Sequence, residues 1–214
     1  MSEKLVCIMR VKDQADKLAR CLRSMPFVDL FIIIDNGSSE DLEVVLRGYD
    51  YAMARTPDLN ASRDLNLAYH MARERGADWC LWMDSDEQWE KRAADEFRDL
   101  LKPGPINGWI FRIFPFVLSD EFFRVDRNWM QFTAKGQLRL FRVQDGVHWN
   151  DPRPTHPGLP QGLKGAIRPS DLRIKHWTIS SQEELERKLG FYAHDTDTLH
   201  FRDGGQGVYK KWIE

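Results

Sequence analysis

The sequence predicts an α/β fold, a mixed sheet flanked by helices, on three observations. Short apolar runs of the buried-strand kind punctuate the first hundred residues, and helical repeats of apolar positions separate them. After Gly108, strand-like segments follow one another with no long helix between them. Strands alternating with helices imply βαβ units and a parallel sheet, to which the later part adds strands of mixed direction. A chain of 214 residues has the size of one domain, here taken as 1–214.

Leu5-Val6-Cys7-Ile8-Met9 reads as the first strand. Ala15, Leu18, Ala19, Leu22 and Met25 then recur at helical spacing, and Pro26 closes that helix. Val28 to Ile34 is the second strand and runs into the turn-forming Asp35-Asn36-Gly37-Ser38-Ser39. A helix around 42–47 and a short strand near 51–54 follow. Asn60 can cap a helix with Ala61, Leu65, Ala68 and Ala72 on one face. Gly76 ends it, and Asp78 to Met83 is the next strand. Strands are predicted over 109–118, 122–125 and 137–143. Residues 144–170, rich in Pro, Gly and charge, predict a long functional loop or lid. A last strand is predicted over 171–177, and Ser180 to Glu183 form a capping box opening a helix to about His200.

The balance of 31 Lys+Arg against 33 Asp+Glu, a net charge of −2, gives no global electrostatic footprint for nucleic acid. A local basic strip of Arg124, Arg127, Lys135, Arg139 and Arg142 keeps nucleic acid open as a partner. Hydrophobic residues at 42% and charged residues at 30% exclude a disordered chain. Cys7, Cys21 and Cys80 have no metal-ligand spacing and sit among apolar neighbours, which predicts buried reduced thiols. No signal-peptide pattern opens the sequence, and no stretch approaches the ~20 apolar residues of a membrane span. A cytoplasmic protein is expected.

In open parallel sheets, ligands bind beyond the carboxyl ends of the strands. The first strand ends at Arg10-Val11-Lys12, the second at Asp35-Asn36-Gly37-Ser38, and the fourth at Asp84-Ser85-Asp86-Glu87. Cations, a carboxylate in a tight turn and a carboxylate cluster thus meet at one edge, as a metal-bound, phosphorylated small molecule would require. If the strand persists to residue 86, its period of two directs Asp84 and Asp86 to one face, where hard divalent cations take carboxylate oxygens.

Four segments carry a resemblance. They are Val6 to Lys12 followed by Leu18-Ala19-Arg20-Cys21-Leu22-Arg23-Ser24; Ile32-Ile33-Ile34-Asp35-Asn36-Gly37-Ser38-Ser39; Ala61-Ser62-Arg63-Asp64-Leu65-Asn66 leading to Trp82-Met83-Asp84-Ser85-Asp86-Glu87; and Ile174-Lys175-His176-Trp177. The chain resembles a family 2 glycosyltransferase of the GT-A fold, a nucleotide-sugar-dependent class with a Rossmann-like sheet. The resemblance implies a nucleotide-sugar-binding half over 1–106 and an acceptor half over 107–214. It implies that Asp35 contacts the nucleotide base, Arg63 holds the nucleotide or its diphosphate, and Asp84 approaches the ribose. Asp86 would ligate Mn²⁺ or Mg²⁺, and His176 would complete the metal site. The donor would be a nucleotide-diphosphate sugar, a UDP-sugar first, and transfer to an acceptor hydroxyl would proceed with inversion. Arg10, Lys12 and Arg63 would add fixed positive charge at the leaving diphosphate. Plainer roles stand beside these: an Asx-turn for Asp35 and a surface ion pair for Arg63.

The catalytic base departs from the family pattern. Small relatives often carry a His-Glu pair before the last strand, where this sequence has Thr155-His156-Pro157. Asp151 is the first candidate, Asp145 another, and His156 an alternative base or orienting group. Trp149 and Trp129 could stack on a sugar ring or serve the core. Two other readings remain: a nucleotidyltransferase, disfavoured by the absence of a Gly-rich loop after the first strand, and a nucleotide-sugar-binding module without turnover. The acceptor is open between a glycan, a lipid-linked saccharide, a protein side chain, a small metabolite and a hydroxylated nucleic-acid base.

Overall fold

The computed structural model describes residues 3–125, 131–153, 158–191 and 209–214. The first apolar run is β1 (Leu5–Val11), followed by α1 (Ala15–Arg23), β2 (Leu30–Asp35), α2 (Leu42–Leu46), β3 (Tyr51–Arg55), α3 (Ala61–Glu74) and β4 (Trp79–Trp82). Then come β5 (Glu87–Trp89), α4 (Ala93–Glu96), a 3₁₀ turn over Phe97–Leu101, β6 (Ile106–Val117), β7 (Phe122–Arg124) and β8 (Gln137–Arg142). The chain continues through β9 (Ala166–Ile179), α5 (Gln182–Phe191) and β10 (Tyr209–Lys211).

The main path of the sheet runs β10-β7-β6-β8-β4-β1-β2-β3, with β9 paired to both β6 and β5. β1, β2, β3 and β4 are mutually parallel, as the helical crossovers require. β8 joins antiparallel to β4 and β6, which makes the sheet mixed. Because side chains alternate along a strand, β1 divides the core in two. Leu5, Cys7, Met9 and Val11 pack with Leu18 and Leu22 of α1 and with Leu42 and Leu46 of α2. Val6 and Ile8 pack on the other face with Leu65, Ala68, Tyr69 and Ala72 of α3. Helices therefore cover both faces, and the strands need no polar side.

The predicted strands and helices of the first hundred residues are present, and so are the three predicted after Gly108. β5 and the short helical turns after it had no periodic signal. The strand before the acidic cluster ends at Trp82, so Asp84 and Asp86 lie in a turn, not on an extended strand. The capping box falls one residue later than predicted. Ser181 Oγ accepts from Glu184 N at 3.1 Å, while Ser180 N donates to Glu184 Oε2 at 2.8 Å.

The 144–170 segment is shorter as a loop than its composition suggested. β9 begins at Ala166, and residues 144–151 are strapped to α3 by a polar stripe. Tyr69 Oη donates to Gln144 O and accepts from Gln144 N, both at 2.9 Å. Asn66 pairs with the Trp149 backbone at 2.8 Å in both directions. Ser62 Oγ bridges Asp151 N and O at 2.8 Å, and Arg73 pairs with Asp145. Residues 62, 66, 69 and 73 share one helix face. Trp149 lies in the core against Tyr69, Trp82 and Phe141, not on a binding surface. The cysteines are free and buried, as expected. The basic strip is not formed as predicted. Arg124 and Arg139 are buried, Arg142 pairs with Glu3 at 3.0 Å, and Arg127 lies outside the described residues. Among the described residues, no helix is long and apolar enough to cross a membrane.

Candidate functional site

The carboxyl ends of β1, β2 and β3 lie side by side in parallel register, with Val11 opposite Asp35 and Asp35 opposite Arg55. Asp13, in the left-handed region at φ 49°, joins the loops after β1 and β2. Its amide donates to Ser38 Oγ at 3.0 Å, and its carboxylate accepts from Ser39 N at 2.7 Å and Ser39 Oγ at 2.9 Å. Those Ser39 hydrogen bonds lower the Asp13 pKa. Gly37, at φ 81°, supplies the turn that folds Ser38 back onto Asp35.

Asp35 is 2% exposed. Its Oδ1 accepts from Ser38 N and its Oδ2 from Arg55 Nε, both at 2.8 Å. Burial pushes its carboxyl upward, but the Ser38 and Arg55 hydrogen bonds outweigh it and hold the pKa below the ordinary value. The turn role foreseen beside base contact is thus realised, with a cation from β3 added. Arg55 also donates to Ser38 O at 2.9 Å.

Arg63 sits in the first turn of α3, behind Asn60, whose side chain caps the helix by accepting from Arg63 N. Its guanidinium is committed to Asp58 at 2.6 Å and to Asp64 at 2.8 Å. Asp64 is fully buried and also accepts from Asn36 Nδ2 at 2.7 Å and Asn60 N at 3.2 Å. Asn36 in turn donates to Thr56 Oγ1 at 2.8 Å. This network ties the β2 turn to the start of α3 and uses the charge that the resemblance gave to a diphosphate. Arg10, next to last in β1, is half-buried on the α3 side of the sheet by its register, and Lys12 is exposed just beyond the strand.

The acidic turn is organised from beneath. Asp84 N donates to Glu87 Oε2, and Glu87 N donates to Asp84 O, both at 3.0 Å. Arg139 of β8 reaches up from the sheet, its Nη2 bonding Asp84 Oδ2 at 3.0 Å and Glu87 Oε1. Arg139 is 3% and Glu87 1% exposed, whereas the Asp84 side chain is 36% exposed. Burial raises the Glu87 pKa against the pull of Arg139. The guanidinium also lies over the Trp82 ring, 4.6 Å from its centroid.

β5 continues from this turn and pairs antiparallel with β9, Glu87 opposite His176. That ladder brings Asp86 Oδ1 and His176 Nε2 to 3.4 Å, although 90 residues separate them in sequence. Asp86 O also accepts from Trp177 N at 2.8 Å. Lys17 of α1 closes the flank, donating to Trp177 O at 3.0 Å and to Glu184 at 2.5 Å. The structure thus brings Asp86 and His176 together by a β5–β9 pairing the sequence did not announce, with Asp84 in the same turn bonded to Arg139.

The Asp151 carboxylate accepts from Arg153 N at 2.9 Å, Arg153 Nε at 3.0 Å and Arg153 Nη2 at 2.8 Å. Arg153 holds its pKa well below the usual carboxylate range. A proton acceptor so stabilised in its charged form is a weak base. Asp145 is likewise paired, with Arg73. His156 lies outside the described residues. Arg139, Glu87, Arg55 and Asp64 were missed as site-builders. Two signals were available: Glu87 follows the acidic Asp84-Ser85-Asp86 run, and Arg139 stands between apolar Leu138 and Leu140 in a strand-like run.

Among the described residues, no three His, Cys, Asp or Glu side chains are grouped to hold a metal ion. Asp86 and His176 present a carboxylate oxygen and an imidazole nitrogen 3.4 Å apart, with Asp84 turned toward Arg139. Such a set fits a divalent ion that takes its remaining ligands from substrate phosphates and water.

The sequence matches no protein-family model and no curated protein. Solved structures do match. S. aureus TarS superposes on 90% of this chain with a TM-score of 0.57 at 10% identity, and the chain spans 40% of TarS. The fold is of the GT-A type. TarS 1–349 in complex with UDP-GlcNAc matches 65% of this chain and 45% of its own at a TM-score of 0.49 and 14% identity. Glucosyl-3-phosphoglycerate synthase from Mycobacterium tuberculosis, in complex with Mn²⁺ and UDP-glucose, matches 53% and 44% at a TM-score of 0.40 and 15% identity. Within this GT-A-type fold, the acidic turn and the β2 turn both lie where strands end, the edge at which open α/β sheets bind ligands.

Proposed function

We propose that this protein is a glycosyltransferase that moves a sugar from a nucleotide-diphosphate sugar, a UDP-sugar first, to an acceptor hydroxyl with inversion. The observation that carries the reading is the Asp86–His176 approach at 3.4 Å, made by β5–β9 pairing beside the acidic turn. Asp86 and His176 would hold Mn²⁺ or Mg²⁺, which as a Lewis acid would offset charge on the leaving diphosphate. Asp84, steadied by Arg139, would orient the ribose. Asp35 and Arg55 together form the edge for the base, carboxylate and guanidinium side by side. Arg10 and Lys12 add positive charge near the diphosphate, and Arg63 acts through the Asp58–Asp64 network that shapes the turn. The base role is not given to Asp151 while Arg153 holds it.

That ion pair favours a second reading, a nucleotide-sugar-binding module without turnover. A thermal-shift screen of nucleotide diphosphates and their sugars, with and without Mn²⁺, tests the site. Stabilisation that needs both, and is lost in Asp86→Ala, is expected; stabilisation unchanged in Asp86→Ala defeats the assignment. Release of nucleotide diphosphate from a bound donor then separates enzyme from module.

A further inference from the structure

The buried ion pair beneath the acidic turn has no part in binding chemistry of its own, yet it touches the residue that does. Four hydrogen bonds close a ring: Asp84 N to Glu87 Oε2, Glu87 N to Asp84 O, Arg139 Nη2 to Glu87 Oε1 and Arg139 Nη2 to Asp84 Oδ2. Glu87 uses both carboxylate oxygens within this ring. Arg139 uses a single nitrogen; among the described residues its Nε and Nη1 are buried with no hydrogen-bond acceptor, and its Cζ lies 4.6 Å from the Trp82 ring centroid. A guanidinium that leaves two of its three nitrogens unsatisfied in the core is poor material for stability alone. An apolar side chain of similar volume would fill the same space without that cost. What the arrangement does supply is a fixed direction for Asp84, whose Oδ2 is taken from below while the side chain stays open to solvent.

We infer that Arg139 and Glu87 are positioning residues for the donor site: they hold Asp84 and the turn in the orientation that binds the nucleotide diphosphate. The inference rests on the donor site proposed above. Asp86 is held separately, by His176 at 3.4 Å and by Trp177 N on its carbonyl at 2.8 Å, so the effect of Arg139 runs through Asp84. Groups that support ligating residues from behind characteristically alter affinity about 10–100-fold when removed. Lysine does not replace arginine here, because a flexible ammonium lacks the planar guanidinium whose seat over Trp82 fixes the direction of Nη2.

Calorimetric titration of the full chain with uridine diphosphate in the presence of Mn²⁺ tests this. Arg139→Lys keeps a cation against Glu87; its melting temperature is expected to stay near that of the unmodified chain while its Kd rises about tenfold. Arg139→Met/Glu87→Gln removes both buried charges together and is expected to show the same loss. The decisive readout is coupling. In an Asp84→Asn background, Arg139→Lys is expected to change Kd less than about twofold, because the residue it positions is already disabled. A similar loss in both backgrounds, or an unchanged Kd in Arg139→Lys, overturns the positioning role and leaves the donor site standing. No binding by the unmodified chain overturns the donor site and the positioning role with it.

Discussion

Asp35 and Asp86 stand at the same edge of one sheet, yet their surroundings divide the labour between them. Asp35 is 2% exposed and clasped by Ser38 and Arg55, with Asp64, Asn36 and Arg63 packed behind it in a second closed network. Around Asp86 the buried charges lie one layer down, in Glu87 and Arg139. The carboxylates of the turn itself stay partly open, Asp84 at 36% and Asp86 at 13%. The first region spends its cations on its own carboxylates and builds a rigid rim. The second hides one cation beneath the turn, pairs Asp86 with His176 and leaves the Asp84 side chain partly exposed. The two turns therefore differ in where their arginine sits: beside Asp35 at the rim, and beneath Asp84 in the core.

Breaking the lower layer should have the largest effect. Glu87→Ala leaves Arg139 buried with only Asp84 for compensation, and a loss of about 3–5 kcal/mol is expected from urea unfolding. A loss below about 1 kcal/mol would mean that the ring carries little of the local structure. Breaking the rim should matter less. Asp64→Ala deprives Asn36, Asn60 and Arg63 of a shared acceptor, for an expected cost of about 2 kcal/mol. It should also weaken nucleotide binding less than Asp86→Ala does. The finest distinction is a pH dependence. Since the Asp35 pKa is lowered in the folded chain, its contribution is present above the unfolded carboxyl pKa and is lost as pH falls through the folded value. The stability gap between the unmodified chain and Asp35→Asn should hold near pH 7 and close on acidification below about pH 4. A gap that widens in acid would contradict the hydrogen-bonded state described.

The order of strands and helices through β4 was legible because each buried strand is a run of apolar residues and each helix repeats at its own period. The strand ends Asp35 and Asp84 to Asp86 were legible for the same reason, as polar breaks after such runs. What escaped were features made by partners distant in sequence. β5 is three residues long and exists because β9 pairs with it. Arg55 and Arg139 look like ordinary strand charges until the register sets them against Asp35 and Asp84. Asp151 looked available as a base because nothing in the sequence says that Arg153, two residues on, folds back upon it. The loop predicted over 144–170 ends where β9 begins at Ala166, and its first residues are sewn down by the side chains at 62, 66, 69 and 73 of α3, which the sequence does not announce.

That stitching sets a rule about length. Each stitch of α3 meets one particular backbone position between Gln144 and Asp151, so a residue added or removed inside that span would shift Trp149 out of its aromatic nest. The chain beyond Asp151 is tied back to the same span: His148 and Gln161 pair through their backbones at 2.8 and 3.1 Å, and the Gln144 side chain pairs with the Lys164 backbone at 3.0 Å in both directions. The stretch from Gln144 to Asp151 is thus held from α3 on one side and from Gln161 and Lys164 on the other, and its length is fixed twice over.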